Sequence, residues 1–402
     1  MRAVRVLSIA TLFPSASRPG FGRFVERQAA AVAARTDVEL VVVNPLAIVP
    51  GPLAPLFHNA AALGTPAREA RGSYPLFFPR YPRLPLIGPR WNPWLIARAV
   101  LPLARRLHAE QPFDVVDAQF FFPDGPAAAR LAAALDLPLT IKARGSDIHF
   151  WGKVPHARQA MLAAASRARA MLSVSAALAD DMAGLGMPRE KIAVHYTGLD
   201  HTIFSPRDRG AARREMAAWD ENRDEITSVP ADGKLLVSVG NLIPLKGQAL
   251  VIEGLAHLPD TRLLVSGSGP EWKNLRSRAT ELGISERVHF GVYGPRELAV
   301  ILSGADAMVL PSASEGLANA WIEALACGTP LVITDVGGAR EVVSSPAAGR
   351  LVERTPGAIA AGVRELLAHP PDQAETAAHA ARFSWEANAA QLAATWRRVA
   401  GL

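Results

Sequence analysis

Cysteine is almost missing from this chain, in which Cys327 is the only one among 402 residues. One thiol forms neither a disulfide framework nor a cysteine metal site, so we expect a reducing compartment, the cytoplasm. The first ten residues lack the long apolar region and small-residue cleavage site of a secretion signal. No stretch approaches the roughly 18 to 20 uninterrupted apolar residues that span a bilayer, so we expect any membrane association to be peripheral.

Two kinds of binding motif are also missing. No Gly-x-Gly-x-x-Gly follows the first predicted strand, which argues against a dinucleotide-dependent dehydrogenase. His149, His195 and His201 stand singly, without the spacing of metal ligands. The sequence therefore predicts no metal site and no cofactor.

Acidic residues are fewer than basic ones, 37 against 43, and the sequence pI is about 9.8. This balance suits nucleic acid, a membrane surface or a phosphorylated substrate, and charge alone does not choose among them. Residues 70–109 contain seven arginines and no acidic residue, together with Trp91 and Trp94. This Arg-Trp segment, residues 71–106, is predicted either to meet a membrane or lipid-linked acceptor or to be ordinary amphipathic packing.

Short β-branched runs alternate with Ala-, Arg- and Leu-rich runs of helical period, which predicts an α/β fold with parallel sheets covered by helices. The alternation occurs twice, on either side of a charged, strand-poor stretch. We therefore predict two Rossmann-like domains facing each other across a cleft. The N-terminal domain is predicted at residues 1–203, a linker at 204–232, the C-terminal domain at 233–378, and a final helix packing back on the N-terminal domain at 379–402.

The pattern also locates individual elements. The predicted strands are 4–9, 38–43, 114–118, 139–143, 171–174 and 192–196 in the first half, and 235–239, 262–266, 287–290, 307–310, 330–334 and 350–352 in the second. The predicted helices include 24–34, 126–135, 158–166 and 384–399. Residues 45–102 are rich in proline, and we predict an irregular excursion from the first sheet there.

The densest functional signal lies at residues 314–330. Glu315 is in a Gly-containing loop after the strand that ends at Leu310, and Glu323 follows eight residues later inside an otherwise apolar helix. A rise of about 1.5 Å per residue places the two carboxylates at most about 12 Å apart. A carboxylate in apolar surroundings needs hydrogen-bond donors, which sugar hydroxyls supply. The alternative is a helix-terminal charge at Glu315 and a solvated side chain at Glu323.

Lys246 stands between a predicted strand and a helix, where an ammonium and free backbone N–H groups can face a phosphate together. The backbone amides of Gly316 and Leu317 open a predicted helix and are further candidates for a diphosphate. A lysine in a loop is otherwise usually just solvated, so its prediction depends on the two glutamates.

In the first half, Gly20 and Gly22 follow the first strand and precede a helix, so their backbone can approach a ligand closely or can simply form turns. Asp147 comes at the end of a predicted strand, where it either caps a helix or lines the cleft.

Glu315-x7-Glu323, followed by Ala-Cys-Gly-Thr-Pro at residues 326–330, resembles the signature of glycosyltransferase family 4. Other segments resemble the family in its own order along nearly the whole chain. They are Pro-Asp-Gly at 123–125, Arg-Gly-Ser-Asp at 144–147, Thr-Gly-Leu-Asp at 197–200, Phe-Ser-Pro at 204–206, the glycine-flanked stretch 240–247, Gly-Ser-Gly-Pro at 267–270, Gly-Ala-Asp at 304–306 and the stretch 335–341.

The resemblance implies a GT-B fold and retaining transfer of a hexose from a nucleoside-diphosphate sugar to a glycan or lipid-linked acceptor. It implies that Glu323 binds the ribose hydroxyls, that Glu315 lies beside the transferred sugar and that Lys246 meets the diphosphate. We predict Glu315, Lys246 and Asp147 as catalytic. The predicted donor-binding residues are Glu323, Asn241, Gly316, Leu317, Gly20, Gly22, Gly269 and Asn319.

The chain departs from the family's pattern at two positions. Asn241 stands where the family often has an arginine beside the lysine, and Arg144 stands where many members have a histidine. The chain also lacks Asp-x-Asp, the metal-holding motif of the other main glycosyltransferase architecture, so we expect lysine, arginine and helix N-termini to neutralise the leaving diphosphate.

Three other functions fit parts of this pattern. A nucleotide-sugar epimerase or a phosphorylase would use the same fold, and a hinged sugar-binding protein would lack catalysis altogether. We expect a nucleotide sugar and an acceptor as partners, possible peripheral contact with a membrane, and no nucleic acid.

Overall fold

The strands form two mainly parallel sheets, one in each half of the chain. The computed structural model describes residues 2–49, 64–83, 89–219 and 233–402. These residues divide into two compact units, Met1–Gly198 with Trp385–Leu402, and Leu199–Ser384. The predicted α/β fold with two Rossmann-like halves is confirmed.

The first sheet has eight strands in the order β10-β9-β8-β7-β1-β2-β5-β4. All pair in parallel except β4, which runs antiparallel to β5. Its strands are β1 (Val4–Ile9), β2 (Val38–Val43), β4 (Arg68–Arg71), β5 (Tyr74–Phe77), β7 (Val115–Ala118), β8 (Leu139–Ala143), β9 (Ala170–Ser173) and β10 (Ile192–Val194). A separate parallel pair joins β3 (Leu46–Ile48) to β6 (Arg80–Pro82).

The second sheet has six parallel strands in the order β13-β12-β11-β14-β15-β16. They are β11 (Lys234–Val239), β12 (Thr261–Ser266), β13 (Val288–Gly291), β14 (Ala307–Leu310), β15 (Leu331–Thr334) and β16 (Gly349–Val352). Most residues of these strands are buried, and buried parallel strands appear in a sequence as nearly continuous apolar runs, so their positions could be predicted well.

Helices cover both sheets. The helices of the first unit are α1 (Arg23–Ala33), α2 (Asn92–Glu110), α3 (Asp124–Leu135), α4 (Ser146–His149), α5 (Pro155–Arg167) and α6 (Ala176–Gly184). Those of the second are α7 (Arg209–Ala218), α8 (Gln248–Leu255), α9 (Trp272–Glu281), α10 (Pro295–Gly304), α11 (Asn319–Ala326), α12 (Ala339–Val342), α13 (Pro356–Ala368) and α14 (Gln373–Ala378). The last helix, α15 (Trp385–Ala400), packs against α1 in the first unit.

Each unit has its own apolar core. In the first, Val25, Ala29 and Val32 repeat at helical spacing along α1 and pack with strand residues and with Trp396 of α15. In the second, residues such as Leu236 and Val309 from the strands pack with Ile252 from α8 and its neighbours. None of the helices in the described ranges is long and apolar enough to cross a membrane.

The expected irregular excursion at residues 45–102 is wrong where the structure describes this region. Residues 46–48 and 68–82 supply four short strands, and α2 begins at Asn92 and contains Pro102. Pro93 stands in the first turn, where a missing N–H costs nothing. Residues 50–63 and 84–88 of this zone lie outside the described residues.

Part of the expected linker has regular structure. Residues 204–219 contain α7, whose Arg213 pairs with Asp306 at 2.7 Å beside α10, and they belong to the second unit. The remainder, residues 220–232, lies outside the described residues.

Candidate active site

The second sheet has a topological switch point between β11 and β14. From β11 the chain goes to β12 and β13 on one side, then crosses to β14, β15 and β16 on the other. The two central strands thus lead on to opposite sides of the sheet, and open α/β sheets bind ligands at the carboxyl ends of the strands at such a point.

Lys246 and Glu315 come from the loops on the two sides of this switch point. Lys246 ends a 3-10 turn, Pro244–Lys246, directly before α8, and Glu315 lies between β14 and α11. The Lys246 ammonium donates a hydrogen bond to the Glu315 carboxylate. The Ala313 amide also donates to the Leu245 carbonyl at 2.8 Å, so the two loops are joined through their backbones as well. The structure thus brings together two residues predicted as catalytic.

Two glycines permit the close approach of these loops. Gly247 has φ +77°, and a Cβ there would lie 2.5 Å from the Pro311 carbonyl oxygen. Gly337, in the loop after β15, has φ +52°, and a Cβ there would collide with the Glu315 carbonyl oxygen. The Gly338 amide donates to the Gly316 carbonyl at 2.9 Å. The loop after β15 therefore supports the backbone that carries Glu315.

The other candidates near Glu315 follow it along the chain. Gly316 and Leu317 are buried in the loop, because α11 begins only at Asn319, two residues later than Leu317. Asn319 and Glu323 are both half-buried and are four residues apart, so they share one face of α11. The opposite face, with Trp321, Ile322 and Leu325, is buried in the core.

Asn241 and Gly269 belong to the neighbouring loops after β11 and β12. Both residues are exposed. The Leu242 amide donates to the Ser268 carbonyl at 2.9 Å, and a Cβ on Gly269 would lie 2.8 Å from the Leu242 nitrogen. Gly269 thus allows two loops to pass closely, and the Asn241 side chain lies at the solvent-exposed edge of the same region.

Asp147 occupies a fully buried position in the first unit. Its carboxylate accepts N–H hydrogen bonds from Phe121 (2.8 Å), Arg144 (3.0 Å), Gly145 (2.8 Å) and Ile148 (3.2 Å). Burial raises the pKa of Asp147, against these backbone hydrogen bonds, which lower it. The side chain braces the turn between β8 and α4 and is 0% exposed.

Gly20 and Gly22 differ in their surroundings. Gly22 has φ +73° and precedes α1, and a Cβ there would lie 2.6 Å from the Leu12 carbonyl carbon. Gly20 is exposed, and a Cβ there would meet no atom within 4 Å. Close packing of the β1–α1 loop therefore requires Gly22 and leaves Gly20 free to accept a side chain.

Sequence reasoning missed a buried polar network beneath the first sheet's own switch point, between β1 and β7. Lys142 Nζ donates to Gln28 Oε1 at 2.9 Å and to His195 Nδ1 at 2.7 Å. His195 Nε2 then donates to the Asn388 carbonyl at 2.9 Å. Burial lowers the pKa of both Lys142 and His195 well below their usual values. A lysine inside the apolar strand 139–143 was the available signal.

Arg144 belongs to the same network, and Asp124 forms a separate set of hydrogen bonds. Arg144 Nη2 donates to Gln119 Oε1 at 2.6 Å, and burial lowers the pKa of Arg144 to about 10. Asp124 accepts hydrogen bonds from the Thr11 amide (3.0 Å) and hydroxyl (2.6 Å), and burial raises its pKa to about 7. Arg144 thus links the segments that follow β8 and β7, and Asp124 links the segment that follows β1 to α3.

Within the described ranges, no group of three or more His, Cys, Asp or Glu side chains is arranged to hold a metal ion.

Two family models match this chain, one in each half. The family model described as Glycosyltransferase Family 4 matches residues 20–203, and the one described as Glycosyl transferases group 1 matches residues 220–383. The D-inositol 3-phosphate glycosyltransferase of Mycobacterium leprae (strain Br4923) is 37% identical over 225 residues, which are 52% of this chain and 50% of that protein. The protein of the same name from Mycobacterium bovis (strain BCG / Pasteur 1173P2) is 35% identical over 230 residues, 54% of this chain and 45% of that protein. The chain spans about half the length of the curated relatives it matches.

Solved structures match over nearly the full chain. Sucrose-phosphate synthase from Thermosynechococcus elongatus has a TM-score of 0.75 at 18% identity, covering 98% of this chain and 99% of that one. Anabaena Alr3699/HepE in complex with UDP-glucose has a TM-score of 0.72 at 18% identity, covering 98% and 99%. These likenesses establish the predicted GT-B type of fold.

Proposed function

Since this chain belongs to glycosyltransferase family 4, we propose that it transfers a hexose from a nucleoside-diphosphate sugar to a glycan or lipid-linked acceptor, with retention at the anomeric carbon. The observation that carries the proposal is the Lys246–Glu315 pair at the switch point of the second sheet, beside the helix that bears Glu323. The names of the similar proteins, glycosyltransferases of D-inositol 3-phosphate and a complex with UDP-glucose, support a nucleotide-sugar donor. We place the reaction in polysaccharide or glycolipid synthesis.

The proposed donor site uses the α11 face and the loop before it. Glu323 accepts hydrogen bonds from the ribose hydroxyls, and Asn319, one turn earlier on the same face, reaches the same nucleotide. Glu315 lies beside the hexose. The half-buried setting of these side chains strengthens each hydrogen bond to the ligand, because water competes less there.

We propose that the leaving diphosphate is neutralised without a metal ion. Lys246 supplies an ammonium, and the backbone amides of Gly316 and Leu317 supply fixed donors aimed at the same group. As the bond between the anomeric carbon and the diphosphate oxygen breaks, positive charge develops on the sugar and negative charge on the diphosphate. Lys246 stabilises the negative charge on the diphosphate, and the Glu315 carboxylate stabilises the positive charge on the sugar.

The remaining predicted residues act through the backbone. Gly269 and Asn241 shape the loops beside the proposed donor site, and Gly22 sets the path of the β1–α1 loop, with Gly20 nearby. In this proposal Asp147 is a positioning residue, because its carboxylate is occupied by backbone amides and it holds the turn that presents Arg144.

The donor is tested by heating the protein with UDP-, GDP- and ADP-sugars in turn. A ligand that binds the folded chain at about 100 times its Kd adds about 2.7 kcal/mol to the free energy of unfolding and raises the melting temperature. Glu323→Gln is expected to raise the Kd of the donor sugar at least about tenfold and so to reduce the stabilisation. Glu286→Gln, which replaces an exposed carboxylate of the same unit, should leave the Kd unchanged. Stabilisation by none of the sugars, or equal stabilisation of both variants, would contradict the proposal.

Product analysis separates the enzyme classes. A transferase releases nucleoside diphosphate from the stabilising donor, with water as a slow substitute acceptor. An epimerase changes the hexose and releases no nucleoside diphosphate, a phosphorylase needs inorganic phosphate, and a binding protein shows binding without turnover.

We also propose that the chain contacts membranes through the Arg-Trp segment. Trp91 and Trp94 are 47% and 41% exposed, their ring centroids are 6.5 Å apart, and the Arg98 guanidinium lies 5.4 Å from the centre of the Trp94 ring. The other face of α2 is buried through Ile96 and Val100. Exposed indoles next to arginines suit the boundary between anionic headgroups and acyl chains.

Co-sedimentation with phosphatidylglycerol-containing and pure phosphatidylcholine vesicles tests the membrane contact. We expect binding to the anionic vesicles that is lost in Trp91→Ala/Trp94→Ala and kept in Phe150→Ala, another exposed aromatic residue of the same unit. Binding that does not depend on anionic lipid, or binding that the Trp91→Ala/Trp94→Ala variant retains, would contradict the proposed membrane contact.

A further inference from the structure

A cavity of about 510 Å³ opens in the first unit. It lies between the β1–α1 loop, the first turns of α1 and the edge strand β4. Its lining includes Pro19, Arg23, Glu26, Arg27, Glu69 and Arg71. The volume is in the range of ordinary small-molecule sites.

The two carboxylates in this cavity are already paired. Arg71 contacts Glu26 at 2.8 Å and Glu69 at 2.9 Å, so one guanidinium holds both acidic groups of the wall. This triad carries one net negative charge, and it fixes α1 against β4.

Arg23 and Arg27 are the other cations of the cavity. In the described part of the chain neither has a carboxylate within ion-pair distance, and Arg23 donates only to the Pro19 carbonyl, at 3.3 Å. They are four residues apart, so they share one face of α1. Their two positive charges exceed the net negative charge of the triad, so the charged side chains of the cavity among the described residues sum to +1.

The helix adds to this positive potential. Arg23 is the first residue of α1, which has eleven residues, so the cavity lies at the positive end of the helix dipole. The acidic residue of the first turn, Glu26, is one of the two carboxylates that share Arg71. The cavity thus combines two guanidinium groups that have no ion-pair partner among the described residues, a helix N-terminus, and two carboxylates that can accept hydrogen bonds from hydroxyls.

We propose that this cavity binds an anionic saccharide unit of the acceptor, with Arg23 and Arg27 on its carboxylate or phosphate and the Glu26–Arg71–Glu69 wall on its hydroxyls. The inference rests on the proposed glycosyl transfer and names the class of acceptor. Guanidinium groups suit both anions because they bind planar carboxylates and phosphate oxygens in paired hydrogen bonds. The cavity shares the β1–α1 loop with Gly20 and Gly22, so its occupant is next to a loop predicted to approach a ligand.

Binding is measured by NMR titration of the full chain with D-glucuronate, D-glucose 6-phosphate and uncharged D-glucose. We expect at least one charged sugar to bind about tenfold or more tightly than glucose, and its affinity to fall with added salt. Preference for glucuronate identifies a carboxylate, and preference for glucose 6-phosphate identifies a phosphate. Equal affinity for all three, or binding of none, overturns the proposal.

Variants locate the binding. Arg27→Gln and Arg23→Gln should each weaken the charged sugar about tenfold and leave glucose unchanged, whereas Arg130→Gln, on the exposed side of α3, should change neither. If Arg27→Gln folds with an unaltered melting temperature and still binds the charged sugar normally, the assignment to this cavity is wrong. Stabilisation of Arg27→Gln by the donor sugar is measured in parallel. If the donor sugar still stabilises Arg27→Gln while the charged sugar no longer binds, the cavity is separate from the donor site. If no donor sugar stabilises the wild-type protein, the transferase proposal itself is refuted.

Discussion

The ammonium of Lys246 donates a hydrogen bond to the carboxylate of Glu315, and the two side chains are only 17% and 11% exposed. Without a ligand each residue therefore satisfies the charge of the other. In the proposed reaction, the donor diphosphate brings two or more negative charges to this pair and competes with Glu315 for the ammonium. The pair would then hold both side chains in place before the donor arrives, which would reduce the ordering that binding must impose.

Replacing Lys246 by alanine is expected to slow turnover of the stabilising donor about 100- to 1000-fold, the usual effect of removing one fixed group that stabilises charge in the transition state. Release of nucleoside diphosphate measures the rate. Lys273→Ala, which removes an exposed lysine of α9, should keep wild-type turnover. Equal rates for the two variants would remove Lys246 from the reaction.

Gly337→Ala is expected to disturb the loop that carries Glu315. The new Cβ would collide with the Glu315 carbonyl oxygen and lie 2.9 Å from that of Gly316. We expect a loss of about 1 to 3 kcal/mol in the free energy of unfolding and weaker stabilisation by the donor sugar.

Gly283→Ala is the matched control for this collision. Gly283 also has positive φ, +67°, but a Cβ there would meet no atom within 4 Å. It reports the backbone strain alone, which is about 1 to 2 kcal/mol for a residue in this region. Donor stabilisation that falls equally in both variants would mean that the contact with Glu315 is irrelevant.

Much of this site could be predicted from sequence because its residues lie in one stretch. Glu315, Glu323 and the loop between them follow an apolar strand and open a helix, and both features are local. The contact between Lys246 and Glu315 could not be predicted from local sequence, because it requires β11 and β14 to be neighbours. Strand order is set by packing across the whole sheet. Only the family resemblance joined the two residues in advance.

Other features depended on distant contacts or on a misleading composition. Asp147 was predicted either to cap a helix or to line the cleft, and the hydrogen bond that its carboxylate accepts from the amide of Phe121, on another loop, is revealed by no local pattern. The helix α2 was missed because prolines dominate residues 45–102. Its buried face was nevertheless present in the sequence, since Ile96, Val100 and Ala104 recur at helical spacing. Pro102 lies on the exposed side, where the kink and lost hydrogen bond are tolerated more easily.

Asp124 predicts a pH dependence of stability with an unusual sign. Burial raises its pKa to about 7, and the carboxyl group ionises near 4 in the unfolded chain. Between about pH 4 and pH 7 the folded state therefore keeps a proton that the unfolded state has lost. The contribution of Asp124 to stability is greatest below this window and falls as the pH rises through it.

Asp124→Asn isolates this contribution, because an amide can still bond with Thr11 but does not titrate. Urea unfolding of both proteins from pH 4 to pH 8 gives the difference in the free energy of unfolding, wild type minus variant. The difference should fall steadily to about pH 7 and then level off. Titrations of Asp147, Lys142 and His195 are common to both proteins and cancel to first order. A difference that is independent of pH would contradict the assignment.

Trp396 is expected to contribute much of the free energy that holds the last helix, α15, to the first unit. Its indole Nε1 donates to Asp117 Oδ1 at 3.2 Å, and both residues are buried. Asp117 also accepts from the hydroxyls of Ser8 (2.9 Å) and Thr140 (2.7 Å), so it remains a buried carboxylate when the indole is removed.

Trp396→Phe should lower the free energy of unfolding by about 2 to 4 kcal/mol, through one lost hydrogen bond to a charged group and a small cavity. Trp91→Phe, at a half-exposed position, should change it by less than about 0.5 kcal/mol. Because α15 belongs to the first unit, Trp396→Phe should leave the Kd of the stabilising donor sugar unchanged. A Trp396→Phe protein as stable as Trp91→Phe would mean that the Trp396–Asp117 bond does not hold the helix.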